Sequence, residues 1–339
     1  MKYFVTGATG HVGNVLVKEL YNRGHEVTAY VLPNDRNEYV IEPYTNIVYG
    51  NILDYSNLEE IMKGYDAVFH IAGIVEIGTG KRKKLYKVNV EGTKNVLKAC
   101  QANKIKKLIY TSSVHAFEEL PKGEVMSEPC EFNYKKVKGN YAKTKAMASD
   151  LILNQEDKNL ETIILCPSGI IGPFDYLLSN TGQLFVDYLL GRLTAYIKGS
   201  YNFVDVRDVV DGIIKASEKG KDKNVYLLTG SNIKVKELLD QISDITGLKK
   251  IKTKLARGFI YVMSYFAELY YAIRHQKPLF THYSIKVLGS NHDFNNQKAK
   301  EQLGYETRNI NDTIKDTLEF AKNHYLINVN GKWRKKQVK

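Results

Sequence analysis

The chain has little cysteine: Cys100, Cys130 and Cys166 are its only three in 339 residues. They are odd in number, far apart, and fall into neither a CxxC pair nor any metal-ligand spacing. That excludes a disulfide framework and a structural zinc site, and it fits a reducing, cytoplasmic compartment. No charged n-region and apolar h-region precede the first strand-like stretch, so a secretory leader is not expected. No apolar run reads as a membrane span either. The nearest, LARGFIYVMSYFAELYYAI at residues 255–273, contains Arg257 and Glu268, and its bulkiest apolar residues recur at Phe259, Met263, Phe266, Tyr270 and Ile273. That spacing describes one face of a packed helix, with weak contact to a membrane surface as the sharper alternative. Internal repeats and low-complexity linkers are missing too. Acid falls short of base, with 37 Asp+Glu against 49 Lys+Arg and a formal net charge of +12. The excess favours anionic ligands in general. Its clusters, such as KRKK at Lys81–Lys84 and KKIKTK at Lys249–Lys254, are scattered and lack interleaved aromatics, so nucleic-acid binding is not expected.

What is present is a globular composition, 43% hydrophobic and 25% charged. Short apolar stretches at Tyr3–Thr6, Glu26–Val31, Thr45–Tyr49, Ala67–Ile71, Lys107–Thr111 and Thr162–Cys166 alternate with helical patterns such as Leu58–Lys63, Leu85–Gln101 and Tyr141–Leu153. The alternation predicts right-handed βαβ units, hence an α/β fold with a doubly wound parallel sheet of Rossmann type. Beyond Pro167 it loosens. Helical patterns at Leu177–Leu193, Val235–Thr246 and Phe259–Ile273 predict a smaller, mostly helical C-terminal substrate lobe. The expected division is 1–166 for a nucleotide-binding domain, 167–330 for a lobe interleaved with the last sheet strands, and 331–339 for a basic tail.

Three glycines, Gly7, Gly10 and Gly13, interrupt the first strand and helix at spacings of three. A side chain there would keep the backbone away from a ligand, and the following helix start offers free N–H groups and a partial positive charge. The stretch reads as a pyrophosphate-binding turn, spaced TGxxGxxG and one residue away from the GxGxxG fingerprint. In GNYAKTKAMASDLIL, Tyr141 and Lys145 lie four apart on one helix face. A nearby ammonium stabilises phenolate and lowers a tyrosine's pKa, so the pair can serve as a tuned acid/base; an ordinary surface pair reads the same way. The strand KKLIYTSS ends in Thr111, Ser112 and Ser113, on the rim where α/β sheets bind ligands.

Taken in order, these motifs resemble the extended short-chain dehydrogenase/reductase superfamily, that of the NAD-dependent epimerases and dehydratases, over most of the chain. TGATGHVG, with Thr9, His11 and Val12 among its glycines, is similar to the cofactor turn; NILD, with Ile52 and Asp54, to the segment that contacts adenine. HIAG, carrying Ala72 and Gly73, matches a strand end beside the cofactor, and NVEGT supplies the buried Asn89. PSGIIGP, with Pro167 and Ile170, resembles the loop beside the nicotinamide, and FVDVRDVVDG the late substrate-lobe strand and helix. The resemblance implies hydride transfer without a metal. Tyr141 would exchange a proton with a carbonyl or alcohol oxygen, Lys145 would lower its pKa and hold the ribose, and Ser113, or less favourably Ser112, would hydrogen-bond the substrate oxygen.

Nucleotide-sugar members usually carry asparagine where this chain has Gly169, and dehydratases an acidic pair where it has Val114 and His115. LCPSGIIGPFD instead looks like the 3β-hydroxysteroid dehydrogenase and dihydroflavonol-4-reductase branch, which implies a bulky, poorly polar alcohol or ketone as the small-molecule substrate. Phe174, Tyr176 and Phe203 are candidates for its pocket, with core packing as the equal alternative. His11 and His115 read as structural. A sugar epimerase or dehydratase and a catalytically silent cofactor-binding regulator remain the alternatives. The second strand ends with Val31 and Leu32 where NAD enzymes place an acid, and Arg36 could reach a 2′-phosphate, so NADP is favoured over NAD by a small margin. Pairing into homodimers is implied only by analogy.

Overall fold

In the computed structural model of the chain, residues 1–75, 82–129, 131–256, 258, 260–261, 287–329 and 332–336 are described. The six short apolar stretches become parallel strands, β1 (Lys2–Thr6), β2 (Glu26–Val31), β3 (Asn46–Tyr49), β4 (Ala67–His70), β5 (Lys107–Thr111) and β6 (Glu161–Pro167), all but β3 covered on both faces; β3 lies at the sheet edge with Ile47 and Val48 half-buried. A seventh, β10 (Asn224–Leu228), was not among the stretches expected, and it pairs parallel with β6 to complete the order β10-β6-β5-β4-β1-β2-β3. Its NVYLL is as apolar as the others but follows a region where strand and helix no longer alternate.

On one face, Leu16 and Leu20 of α1 (His11–Asn22) and Val209 and Ile213 of α7 (Val206–Lys219) pack against Val5, Ile109 and Ile163. The motif resemblance read Phe203–Gly212 as a strand and helix of the substrate lobe; its helix part, α7, covers the main sheet instead, because its valine and isoleucine stripe matches the sheet face beside α1. The other face is filled by Leu58 of α2 (Tyr55–Ile61), Val96 of α4 (Thr93–Ala102) and Ala146 of α5 (Asn140–Leu153) against Phe4, Val68 and Leu108. The stretch expected as one helix from Leu85 begins as α3 (Arg82–Tyr86) and passes through a π-turn at Lys87–Gly92 before α4. Such extra-residue turns persist where a side chain needs them, and Asn89 lies in this one.

A third core, with Phe185, Leu238 and Ile314, forms between a small sheet and three helices, α6 (Asn180–Leu189), α8 (Val235–Thr246) and α10 (Ile310–Tyr325). The sheet contains β7 (Gly169–Ile171), β9 (Ser200–Asp205) and β11 (Ser231–Lys234), while β8 (Ala195–Ile197) pairs with β12 (Thr253–Leu255). Helix α9 (Gln297–Leu303) returns to the main sheet beside α7. Among the described residues no helix is long and apolar enough to cross a membrane. Most of residues 255–273 lies outside the described residues, and so does Cys130.

Candidate active site

The strand order reverses between β1 and β4, which opens a crevice at their C-terminal ends, and the glycine turn and HIAG both lie there. Gly7 has φ +73°, and a Cβ on it would lie 2.5 Å from the Ala72 amide nitrogen. A Cβ on Gly13 would lie 2.1 Å from the Gly7 carbonyl oxygen. Gly10 donates its N–H to that same oxygen at 3.1 Å, yet an added Cβ would meet nothing closer than it, at 3.3 Å. Gly7 and Gly13 are therefore required by the protein's own packing, whereas Gly10 leaves open space in front of α1. No side chain caps that helix, so the N–H groups of its first turn remain available to an anion. This cradle fits a dinucleotide's pyrophosphate.

Two residues that the sequence reading passed over hold the turn. Asn14 donates to the Gly10 carbonyl at 2.8 Å and to the Phe174 carbonyl at 3.1 Å. Asp35 accepts the Thr9 hydroxyl at 2.7 Å. His11 meets the Pro173 carbonyl at 2.9 Å, a structural tie, and Val12 is buried. Arg36 is exposed. Asp54 caps α2 by accepting the Asn57 N–H, and Ile52 packs on Gly92.

Beneath the crevice His70 is fully buried, with its ring nitrogens on Thr6 at 2.7 Å and Thr93 at 2.9 Å. Asn89 spends its amide on the backbone N–H and carbonyl of Ile74 and on Thr144 of α5. The π-turn thus ties the HIAG strand end to the helix that carries Tyr141. Gly73 stands at that junction, and a Cβ on it would lie 3.4 Å from the Lys145 Nζ.

Ser113, Tyr141 and Lys145 are all buried and converge at the end of β5. Burial raises the Tyr141 phenol to about 12, and the hydroxyl of Ser113 opposes that rise. The Lys145 ammonium donates to the Thr111 carbonyl at 2.7 Å and to the Tyr110 hydroxyl at 3.2 Å, and burial lowers it to about 8. The expected lowering of Tyr141 by Lys145 is not among the effects that act on the phenol, where burial dominates; the ammonium is turned to Thr111 and Tyr110 instead. Ser112 turns inward to Ser149 at 2.6 Å, which leaves Ser113 as the serine that faces the tyrosine.

The remaining candidates divide. Pro167 ends β6, and Ile170 on β7 packs against the main core. Phe203 is buried, with its ring centroid 5.2 Å from that of Tyr201. The Tyr201 hydroxyl meets His115 at 2.6 Å, and the His115 ring centroid lies 6.2 Å from that of Tyr141. Tyr201 and His115 therefore make an aromatic wall that leads to the tyrosine, whereas Phe203 packs into the third core with Ile171 and Ile233. Phe174 and Tyr176 are not part of that wall: both rings pack on Phe320 of α10, while the Phe174 carbonyl accepts from Asn14 of α1. Tyr201 carried no motif, and only the fold brings it to His115. Among the described residues no cluster of His, Cys, Asp or Glu could hold a metal ion.

The buried histidines carry a stability prediction. Burial lowers His70 to about 3 and His115 to about 4, from an ordinary 6.5. The unfolded chain binds these protons below about pH 6.5 while the folded chain does not, so stability is lost as pH falls from about 6.5 toward the folded values. The melting temperature should drop between pH 6.5 and 4, and less steeply in His115→Phe. A flat profile over that interval would contradict neutral, buried imidazoles.

Residues 3–228 match the NAD dependent epimerase/dehydratase family. The chain belongs to that family. Within it, the extended short-chain dehydrogenase/reductases, it is an NAD(P)-dependent enzyme by class. It is 29% identical over 326 residues to the putative dihydroflavonol 4-reductase of Synechocystis, with 95% of each chain covered. It is 28% identical over 308 residues to sterol demethylase protein B of Methylococcus capsulatus, covering 90% of this chain and 93% of the relative. Among solved structures, that of gox2253 superposes with a TM-score of 0.83 at 31% identity, over 95% of this chain and 98% of that one. UDP-glucose 4-epimerase of Thermotoga maritima, at 20% identity and a TM-score of 0.77 over 95% of this chain and 99% of that one, shares the fold.

Proposed function

We propose that the chain interconverts a ketone and a secondary alcohol on a bulky, largely apolar substrate, hydroxysteroid-like or dihydroflavonol-like. The observation that carries this reading is the buried Ser113–Tyr141–Lys145 cluster joined to an aromatic wall. In the reductive direction the Tyr141 hydroxyl gives its proton to the substrate oxygen, Ser113 hydrogen-bonds the same oxygen, and the adjacent Lys145 ammonium favours the phenolate left behind. The nicotinamide cofactor supplies or accepts the hydride. Its pyrophosphate would rest on Gly7, Gly10 and Gly13, its ribose near Tyr141 and Lys145, and its nicotinamide beside Pro167 and Ile170. Gly169 argues against a sugar nucleotide: a Cβ there would lie 2.2 Å from the Tyr201 ring, so that ring fills the space an asparagine would need. Relatives named for dihydroflavonol and 3-beta-hydroxysteroid chemistry, the latter from Mycolicibacterium neoaurum, cover about nine-tenths of the chain and support the same branch.

For the cofactor, Arg36 and Asp35 pull in opposite directions. Arg36 is exposed and makes no contact among the described residues, whereas Asp35 is fixed on Thr9 beside the pyrophosphate cradle. A carboxylate held there repels a 2′-phosphate, which moves the preference to NAD and away from the NADP lean that Arg36 alone suggests. Asp35→Ser should raise NADPH affinity relative to NADH by about tenfold, the effect of removing one nearby like charge of ~1.4 kcal/mol. An unchanged ratio of the two dissociation constants would remove Asp35 from the explanation.

The reading is tested by titration with NADH and NADPH, followed by reduced-nicotinamide absorbance against hydroxysteroids, flavanonols, simple ketones and UDP-sugars. Turnover of an apolar ketone or alcohol is expected. Conversion of a UDP-sugar without net change in cofactor would replace this reading with an epimerase.

A further inference from the structure

The C-terminal lobe carries a concave cluster of lysines that the proposed chemistry does not use. Lys198 between β8 and β9, Lys234 and Lys236 where β11 enters α8, Lys254 on β12, and Lys122 from the loop after β5 surround a cavity of about 420 Å³ that Ser200 also lines. Lys236 is paired with Asp240 along α8. Among the described residues the other four lack a carboxylate partner.

A lysine face that serves only solubility is convex and spaced along one element. This cluster is concave and draws its lysines from separate segments around a space small enough for one ligand to fill. The start of α8 borders it. No side chain caps that helix, and Val235 donates its N–H to the Gly199 carbonyl at 3.0 Å, which pins the helix start to the turn that bears Lys198. Glu237 already supplies negative charge to the first turn of that helix, so the lysine-lined cavity, and not the helix end, is the place for the anion.

We propose that this cavity binds a phosphate-bearing small molecule, a diphosphate or phosphomonoester, at a site separate from the pyrophosphate cradle of α1. Ser200 lines the cavity, whereas the next residue, Tyr201, reaches His115 beside Tyr141; successive residues of a strand face opposite ways, so the cavity lies across β9 from the reaction site. The phosphate therefore belongs to a separate effector and not to the substrate.

The test is calorimetric titration of inorganic pyrophosphate into the protein saturated with NADH, so that the glycine cradle is filled. One binding event is expected, weakening as salt is raised and at least about tenfold weaker in Lys198→Glu/Lys254→Glu, the loss of several like-signed contacts to a multivalent anion. Both side chains are exposed, and single Lys198→Gln and Lys254→Gln variants serve if the double reversal fails to fold. No binding to the NADH-saturated protein, or equal binding by wild type and variants, would overturn the proposal. Where binding is lost, unaltered kcat and KM in the absence of pyrophosphate are expected, and a raised KM at unchanged kcat would place the phosphate on the substrate and overturn the effector assignment.

Discussion

Tyr141→Phe should lower turnover by about 10³-fold, within the range for loss of a positioned proton donor, while leaving NADH affinity and the melting temperature close to wild type. The ring stays because it is packed: Tyr141 is 8% exposed and its edge meets His115. Only the hydroxyl is removed, and Ser113 is the group facing it. Since burial keeps the phenol up at about 12, Tyr141 enters the reaction protonated at neutral pH. Ketone reduction then uses the form already present, whereas alcohol oxidation needs the phenolate, so the oxidative rate should climb with pH through the alkaline range while the reductive rate does not. Lys145, lowered to about 8, carries its charge at neutral pH and begins to lose it over that interval, which rounds off the oxidative rise. Undiminished turnover in Tyr141→Phe would remove the tyrosine from the chemistry. A full biological role in the variant without measurable turnover would favour the cofactor-binding regulator.

The parts of this site that can be read along the chain are those whose signal is local. A strand buried on both faces must be continuously apolar, so β1, β2 and β4 to β6 stand out, and Tyr141 and Lys145 share a face because a helix turns once in ~3.6 residues. What stays hidden depends on contacts between distant segments. Asn14 matters because it reaches Phe174, and His115 because it reaches Tyr201, separations of 160 and 86 residues. The π-turn at Lys87–Gly92 follows from Asn89 meeting Ile74, which no helical periodicity announces. Phe174 and Tyr176 illustrate the reverse case. Aromatic residues beside a cofactor loop look like pocket walls, and only the packing of Phe320 against both rings shows that they face α10 instead. Electrostatics follows the same rule: the spacing of Tyr141 and Lys145 is legible, but not that the ammonium would be directed to the Thr111 carbonyl and that burial would dominate both groups.

The three glycines of the first turn should fail in two different ways, and the difference separates folding from binding. Gly13→Val should destabilise the protein severely, because its Cβ would fall 2.1 Å from the Gly7 carbonyl oxygen and 2.7 Å from the Ala8 Cα, both backbone atoms that cannot move without opening the turn. Overpacking of this kind costs at least ~1–3 kcal/mol even where neighbours can yield, and here they are held by the Gly10 N–H on the same oxygen. Gly7 fails for the same reason, with φ +73° adding a backbone term that any side chain must bear. Gly10 differs. Its φ of −71° suits every residue, and an added Cβ points into open space apart from the Gly7 oxygen at 3.3 Å. Gly10→Val should therefore melt near wild type yet bind NADH at least about a hundredfold more weakly, since a bulky side chain would displace the pyrophosphate from the N–H groups of α1 and forfeit two or more charge-assisted hydrogen bonds. Thermal melts alongside NADH fluorescence titration distinguish the cases. If Gly10→Val bound NADH as tightly as wild type, the open space before α1 would not be where the cofactor lies, and the crevice between β1 and β4 would lose its assigned role.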